Sequence, residues 1–187
     1  RSGKMVKNFD KHIPHYLIPL LGSLVAFGPL SIDMYLPALP QMGIALQATQ
    51  GQMQYTLGAF FAGFCVGMLF YGPLSDLLGR RKMLLSGLAI FTIASLLCAQ
   101  ATNANTLIVF RALQAFGSGA AIVMARAIAR DVYPAHELPK VLSLMTLVTM
   151  IAPLLAPLLG GFLLVHFQWQ VSFYLLAVIG LASVCAI

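Results

Sequence analysis

Charged residues are scarce in this sequence. Only 9% of the 187 residues are Asp, Glu, Lys or Arg, whereas these types make up about a quarter of an ordinary soluble domain. Hydrophobic residues account for 60% of the chain, and the mean hydropathy is +0.90. Because so few charges cannot cover the surface of a soluble protein, the composition excludes that class and predicts an integral membrane protein.

The groups that enzymes and metal sites need are also few. Cys65, Cys98 and Cys185 all lie within apolar runs, and their odd number argues against a disulfide framework or a paired metal site. The four histidines do not have metal-ligand spacing. The sequence has no phosphate-binding loop, no dinucleotide-binding glycine pattern and no nucleophile beside a suitable base. We therefore expect no metal, no cofactor and no enzymatic activity.

Long apolar runs dominate the chain. Six of them have about 18 residues or more, which is enough to cross a hydrocarbon core of ~30 Å as an α-helix. They cover roughly residues 15–38, 53–73, 83–101, 105–127, 140–165 and 170–187, with turn-forming and polar residues at the joints. The predicted fold is all-α, with a tail over residues 1–14 and a bundle of six transmembrane helices over residues 15–187.

The basic residues fall on one side of this arrangement. Nine of the eleven lysines and arginines lie in the tail, in the second-to-third loop or in the fourth-to-fifth loop, and the alternate loops contain none. The positive-inside rule therefore predicts a multi-pass protein with a cytoplasmic N-terminus. The net charge of +6 then reflects membrane topology, and we expect membrane lipid but no nucleic acid as a partner. The first run is too long for a cleaved signal peptide and is expected to act as an uncleaved anchor.

Three charged residues lie inside the apolar runs: Asp33 in the first, and Arg111 and Arg126 in the fourth. A charge near mid-membrane costs roughly 2.5–3.5 kcal/mol, so each should face a partner or a water-filled cavity. Asp33 and Arg111 lie at similar depths and can meet if their helices adjoin. Pro37 cannot bond the Asp33 carbonyl, which predicts a kink there. Two interpretations stay open: a carboxylate that binds protons or substrate, and a static ion pair that fixes helix register.

The segment Gly72-Pro-Leu-Ser-Asp76-Leu-Leu-Gly79-Arg80-Arg81-Lys82 is predicted to be a short charged loop that turns tightly at the cytoplasmic face. Asp76 and Arg80 are four residues apart and can pair on a helical turn, while the two glycines allow close backbone approach and reversal. If Asp131 also reaches Arg80, the cluster ties the second and fourth spans together.

Small residues and prolines mark two spans. In the fifth, Pro153 and Pro157 each delete a helix hydrogen bond, and Gly160-Gly161 removes side-chain bulk, which predicts a bendable helix with a close-packing face. The alternative is ordinary packing of a kinked helix. In the second span, small residues at four-residue steps predict a close helix contact, at Ala59, Gly63 and Gly67.

The 72–82 pattern, Gly72-x-Leu74-x-Asp76-x-x-Gly79-Arg80-Arg81-Lys82, resembles the signature between the second and third helices of the major facilitator superfamily. Arg111-Ala-Leu-Gln114-Ala-Phe-Gly117-Ser-Gly119 resembles its fourth-helix motif, and Ala152-Pro153-Leu-Leu-Ala156-Pro157-Leu-Leu-Gly160-Gly161 resembles the antiporter motif found in exporters. Residues 31–40 and 130–134 add to these motifs. The combined pattern is similar to that of bicyclomycin-resistance-type drug:proton antiporters of bacterial inner membranes. Leu77, Ala115 and Ala156 depart from the family's usual residues.

The resemblance implies a fold and a function. The fold would be the N-terminal half of a transporter, built as paired three-helix inverted repeats that rock against a second six-helix half. The function would be proton-coupled efflux of small amphipathic drugs. The second half, absent from residues 15–187, would be the C-terminal half of the same transporter, or a second copy if the chain is native. The alternative is an isolated non-transporting helical domain or a half-transporter fragment; a channel or a membrane enzyme has less support.

The resemblance also implies roles for three groups of residues. The proton-coupling and substrate group comprises Asp33 and Arg111, with Gln114 and Tyr35 at similar depth. The conformational latch, which would hold the outward-open state, comprises Gly72, Asp76, Gly79, Arg80, Arg81 and Asp131. The antiporter motif comprises Pro153, Pro157, Gly160 and Gly161. For the latch, the alternative is that its basic residues are only topology anchors.

Overall fold

A computed structural model describes residues 17–187, and every regular element in that range is helical. The elements are α1 (Leu17–Asp33), a 3₁₀ turn (Leu36–Ala38), α2 (Leu39–Ala45), α3 (Gln50–Leu78), α4 (Arg80–Ala99), α5 (Ala104–Val132), α6 (Leu138–His166) and α7 (Gln170–Ala186). The predicted tail over residues 1–14, and the start of the first predicted span at residue 15, lie outside the described residues.

The six predicted apolar runs are confirmed in number and order. Five stretches are long and apolar enough to cross a membrane: residues 17–45, which join α1 to α2, and helices α3, α4, α5 and α6. The sixth, α7, is apolar but shorter, with 17 residues. The chain is therefore an all-α, multi-pass membrane protein.

Two predicted loops are replaced by helix. The connection expected over residues 39–52 contains α2, so only residues 46–49 separate it from α3. The loop expected over residues 72–82 is also wrong, because α3 continues to Leu78 and α4 begins at Arg80. The reversal between them rests on Gly79 alone, whose φ of 92° lies in a region that side chains other than glycine's rarely adopt.

The predicted kink near Asp33 is a full break. α1 ends at Asp33, and the amide of Tyr35 bonds the carbonyl of Ile32 at 3.2 Å, three residues back instead of four. Pro37, which has no amide hydrogen, then lies inside the 3₁₀ turn. The first span is thus two helical pieces joined by a short irregular segment.

Helix α5 lies at the centre of the bundle, packed against α3, α4 and α1, while α4 packs on α7 and α1 packs on α6. The close contact predicted from the small residues of α3 is confirmed at two of them. A Cβ added at Gly63 would clash with the backbone of Ala112, and one added at Gly67 would lie 2.5 Å from the carbonyl oxygen of Phe116. Only glycine lets α3 approach α5 this closely.

Candidate functional site

Arg111 is the largest completely buried side chain among residues 17–187, with an exposed fraction of 0%. Its guanidinium carbon lies 4.2 Å from the centre of the Tyr35 ring and 4.3 Å from that of Phe60. Its Nη1 donates to the carbonyl of Ser31 at 3.1 Å and to Oε1 of Gln114 at 2.7 Å. The positive charge is therefore stabilised by two aromatic faces and two neutral oxygens.

A hydrogen-bond network extends from Arg111 to two further helices. Gln114 donates from Nε2 to the hydroxyl of Ser95 on α4 at 2.8 Å. The hydroxyl of Tyr35 is hydrogen-bonded to that of Thr56 on α3, which itself donates to the carbonyl of Met53. The network thus connects the break after α1 with α3, α4 and α5, and it includes Tyr35, Gln114 and Arg111, which the sequence predicts at similar depth.

Asp33 is not part of this network. The carboxylate is half-buried at the end of α1, and it forms no ion pair within 4.0 Å with any residue of the described range. The predicted pairing with Arg111 is wrong in this conformation, because the guanidinium bonds the backbone of Ser31 instead. The static ion-pair interpretation with Arg111 therefore loses its support within residues 17–187.

Unused hydrogen-bonding capacity remains beside the break. Nε and Nη2 of Arg111 and the hydroxyl of Ser31 are buried and have no partner within residues 17–187. An unsatisfied buried donor typically costs about 1–3 kcal/mol, more when it is charged. Leaving these groups without partners therefore has an energetic cost at the break.

At the opposite end of α5, Arg80 joins three helices. Its Nη2 lies 2.7 Å from Oδ1 of Asp76 on α3, its Nε lies 3.1 Å from Oδ2 of Asp131 on α5, and its Nη1 donates to the hydroxyl of Ser75. Both ion pairs predicted from the sequence are confirmed. Because both carboxylates are more than half exposed, each pair contributes only about 0–1 kcal/mol to stability, and the cluster fixes geometry more than it holds the fold together.

Arg81 and Gly72, also assigned to the latch, do not bond Arg80 directly in the described residues. Arg81 is exposed and forms no ion pair in the part of the chain that is described. A Cβ added at Gly72 would meet nothing within 4 Å, so the close approach predicted there is wrong in this conformation. Tyr133, just beyond Asp131, is buried, and this burial, followed by the charge of Glu137, raises the pKa of its phenol.

The antiporter segment lies inside α6, which contains both Pro153 and Pro157. A buried face of small residues, at Ala152, Ala156 and Gly160, packs toward α1 and the 3₁₀ turn. The close-packing face predicted for this helix is confirmed at Gly160 only, because a Cβ at Gly161 would meet nothing within 4 Å.

Several hydroxyl residues that the sequence does not single out make these contacts. Ser31, Thr56 and Ser95 complete the network around Arg111, and Ser75 bonds Arg80. Serine and threonine are common in apolar helices, where most bond their own helix. Two of them have a signal in the sequence, since Ser31 is four residues before Tyr35 and Ser75 is four residues before Gly79. Within the described range, no group of His, Cys, Asp and Glu could hold a metal ion.

Among solved structures, the fold is similar to the crystal structure of a D-xylose-proton symporter. The TM-score is 0.75 at 16% sequence identity, over 90% of this chain and 46% of that one. Identity this low shows a shared fold and nothing more about function. The fold is that of one six-helix half of such a transporter.

Three relatives share more of the sequence. The uncharacterized MFS-type transporter YdgK of Bacillus subtilis is 43% identical over 90% of this chain and 42% of its own length. The multidrug resistance protein MdtL of Citrobacter koseri is 39% identical over 86% and 41%. The bicyclomycin resistance protein homolog of Haemophilus influenzae is 34% identical over 87% and 41%. The chain thus spans about two-fifths of the length of these relatives.

The family follows from the extent of the match and from the motifs described above. The sequence model of the Major Facilitator Superfamily matches residues 21–187, which is nearly all of the chain. The chain therefore belongs to the Major Facilitator Superfamily, whose members are membrane transporters and not enzymes.

Proposed function

We propose that this chain is the N-terminal half of a proton-coupled drug exporter of the bacterial inner membrane. The names of two relatives, a multidrug resistance protein and a bicyclomycin resistance protein homolog, support drugs as substrates. Residues 152–161, which resemble the antiporter motif, support export. The observation that carries the proposal is Asp33, a half-buried carboxylate at a helix break with no ion-pair partner among residues 17–187.

Asp33 is the proposed site of proton exchange. A carboxylate within the span costs roughly 2.5–3.5 kcal/mol as long as its charge is uncompensated. A proton or a cationic drug bound at Asp33 removes that cost, so the two compete for one group and exchange follows. Because the break has fewer backbone hydrogen bonds than a continuous helix, it can change shape when the charge changes.

Arg111 provides a fixed positive charge near the end of α1, where the exchange is proposed to occur. It is bonded to the carbonyl of Ser31, two residues before Asp33, so it holds the end of α1 in place. Tyr35 and Gln114 hold the guanidinium in turn, through its face and its Nη1. Loss or gain of a proton at Asp33 therefore acts on a segment that Arg111 holds in place at Ser31.

The Arg80 cluster is the proposed latch of the outward-open state. It links the ends of α3, α4 and α5 through the pairs with Asp76 and Asp131. We place this end of the bundle, with the N-terminus, on the cytoplasmic side, where basic residues are retained. The second half, either the C-terminal part of the same transporter or a second copy of this chain, forms the other wall of the drug pathway.

The test is transport by the complete transporter in proteoliposomes that carry a pH gradient, with the cationic dye ethidium as the drug. We expect Asp33→Asn to abolish gradient-driven ethidium movement and to leave membrane insertion intact. The matched control is Glu137→Gln, which removes an exposed carboxylate before α6 and should leave the flux unchanged. Undiminished coupled flux in the Asp33→Asn protein would refute the proposed proton site.

A further inference from the structure

Ser75 is a buried serine inside a cluster of charged and largely exposed residues. Its exposed fraction is 1%, whereas the side chains of Asp76 and Asp131 are 64% and 53% exposed. Its hydroxyl donates to the carbonyl of Gly72 on the same helix at 2.8 Å and accepts from Nη1 of Arg80. Among the partners of Arg80 within residues 17–187, Ser75 is therefore the one that is buried and bonded to the backbone of α3.

The three nitrogens of the Arg80 guanidinium each have a different partner. Nη1 bonds Ser75 and Nη2 bonds Asp76, both on α3, while Nε alone reaches α5, at Asp131. A guanidinium is planar and rigid, so fixing two of its nitrogens fixes the direction of the third. Contact with α5 thus depends on how the two α3 partners orient the plane.

Asp76 alone does not fix the orientation of the Arg80 guanidinium plane. It is four residues before Arg80 and mostly exposed, and pairs of this kind are screened by salt and keep some freedom of orientation. Ser75 lacks charge, but its hydroxyl cannot rotate freely without losing its bond to Gly72. The buried hydrogen bond to Ser75 is a second point of attachment, and it fixes the orientation of the guanidinium plane.

We propose that Ser75 is a positioning residue: its hydroxyl, held by the Gly72 carbonyl, sets the plane of the Arg80 guanidinium so that Nε meets Asp131. The coupling between α4 and α5 at this end then depends on a neutral residue as well as on the charged ones. This inference concerns the ion pair itself and does not rest on the proposed transport function, so each can fail without the other.

The experiment is a double-mutant cycle repeated in two backgrounds. Unfolding midpoints in detergent are measured for the protein, for Arg80→Ala, for Asp131→Ala and for the double variant, and then for the same four with Ser75→Ala. We expect the midpoint shifts to be non-additive when Ser75 is present and to become additive when it is absent. Ser75→Thr retains the hydroxyl and should restore the non-additivity.

A merely structural role would lower all midpoints and leave the coupling unchanged. The matched control is Ser183→Ala, which removes another buried serine hydroxyl that bonds its own helix, at the Ile179 carbonyl, and should not affect the coupling. If Ser75→Ala fails to fold, Ser75→Cys takes its place, because a thiol has similar volume but is a poor acceptor. Additive shifts in the presence of Ser75, or coupling that persists without its hydroxyl, would overturn the proposal.

Discussion

Gly160 of α6 lies directly against the backbone of Met34, the residue that follows Asp33 at the end of α1. A Cβ added at Gly160 would lie 2.5 Å from the carbonyl oxygen of Met34 and 3.0 Å from its Cα. Real Cβ atoms essentially never come within 3.0 Å of a non-bonded atom, and a backbone carbonyl cannot move aside as a flexible side chain can. The antiporter segment and the break in the first span are therefore parts of one contact.

This contact predicts opposite effects for two adjacent glycines. Gly160→Ala should lower the free energy of unfolding by about 1–3 kcal/mol, because the added methyl group forces α6 and the break apart. Gly161→Ala has open space around it and gains helix propensity, so it should be neutral or stabilise by about 0.5–1 kcal/mol. Thermal unfolding in detergent measures both.

A transport assay distinguishes the packing role of Gly160 from an effect common to the whole antiporter motif. The Gly160→Ala protein should also move ethidium more slowly, since its substitution presses on the residue next to Asp33, and the Gly161→Ala protein should match the parent. Equal losses of stability for the two variants would mean that α6 does not approach the break as described.

A second glycine pair tests the contact between α3 and α5. A Cβ at Gly67 would lie 2.5 Å from the carbonyl of Phe116, whereas one at Gly58, on the same helix, meets nothing within 4 Å. We expect Gly67→Ala to destabilise the fold by about 1–3 kcal/mol and Gly58→Ala to have no such cost. Unfolding midpoints of the two variants, compared at the same detergent concentration, decide the matter; a tolerated Gly67→Ala would argue against this helix contact.

The sequence was sufficient for the number of spans because their lengths are set by the membrane, but it misplaced the joints. The sequence predicts turns at Gly72 and Gly79, yet α3 continues through Gly72 and Pro73 to Leu78. In an apolar setting, ending a helix leaves several backbone groups without partners, whereas one proline inside it leaves only one. Within residues 72–82 the chain turns at Gly79, the one glycine with a positive φ among residues 17–187.

The hydrogen-bond partners of the site residues were harder to predict than their depths in the membrane. Counting residues gave similar depths for Asp33 and Arg111, but depth does not say which groups the guanidinium will reach, and it bonds Ser31 and Gln114. The same holds for the glycine pair of α6. Adjacent residues on a helix point about 100° apart, so only one of them can face α1, and which one depends on the packing of two helices.

The charge of Arg111 is buried without a carboxylate partner in the described residues. Arg111→Lys keeps the charge but loses the planar fork that bonds Ser31 and Gln114 and stacks on Tyr35. We expect a loss of about 3–5 kcal/mol in unfolding free energy, as for other disrupted buried charges. Arg126→Lys, on the exposed side of the same helix, is the matched control and should leave the unfolding midpoint unchanged.

An apolar substitution then distinguishes charge from packing. Arg111→Met removes the buried charge and fills much of the same space, so it should be more stable than Arg111→Lys and can equal the parent, because no buried charge is left unpaired. The same protein should nevertheless fail to move ethidium, since the fixed charge behind Asp33 is gone. A methionine variant less stable than the lysine variant would mean that the hydrogen bonds of Arg111 hold the bundle together and that the positive charge itself is secondary.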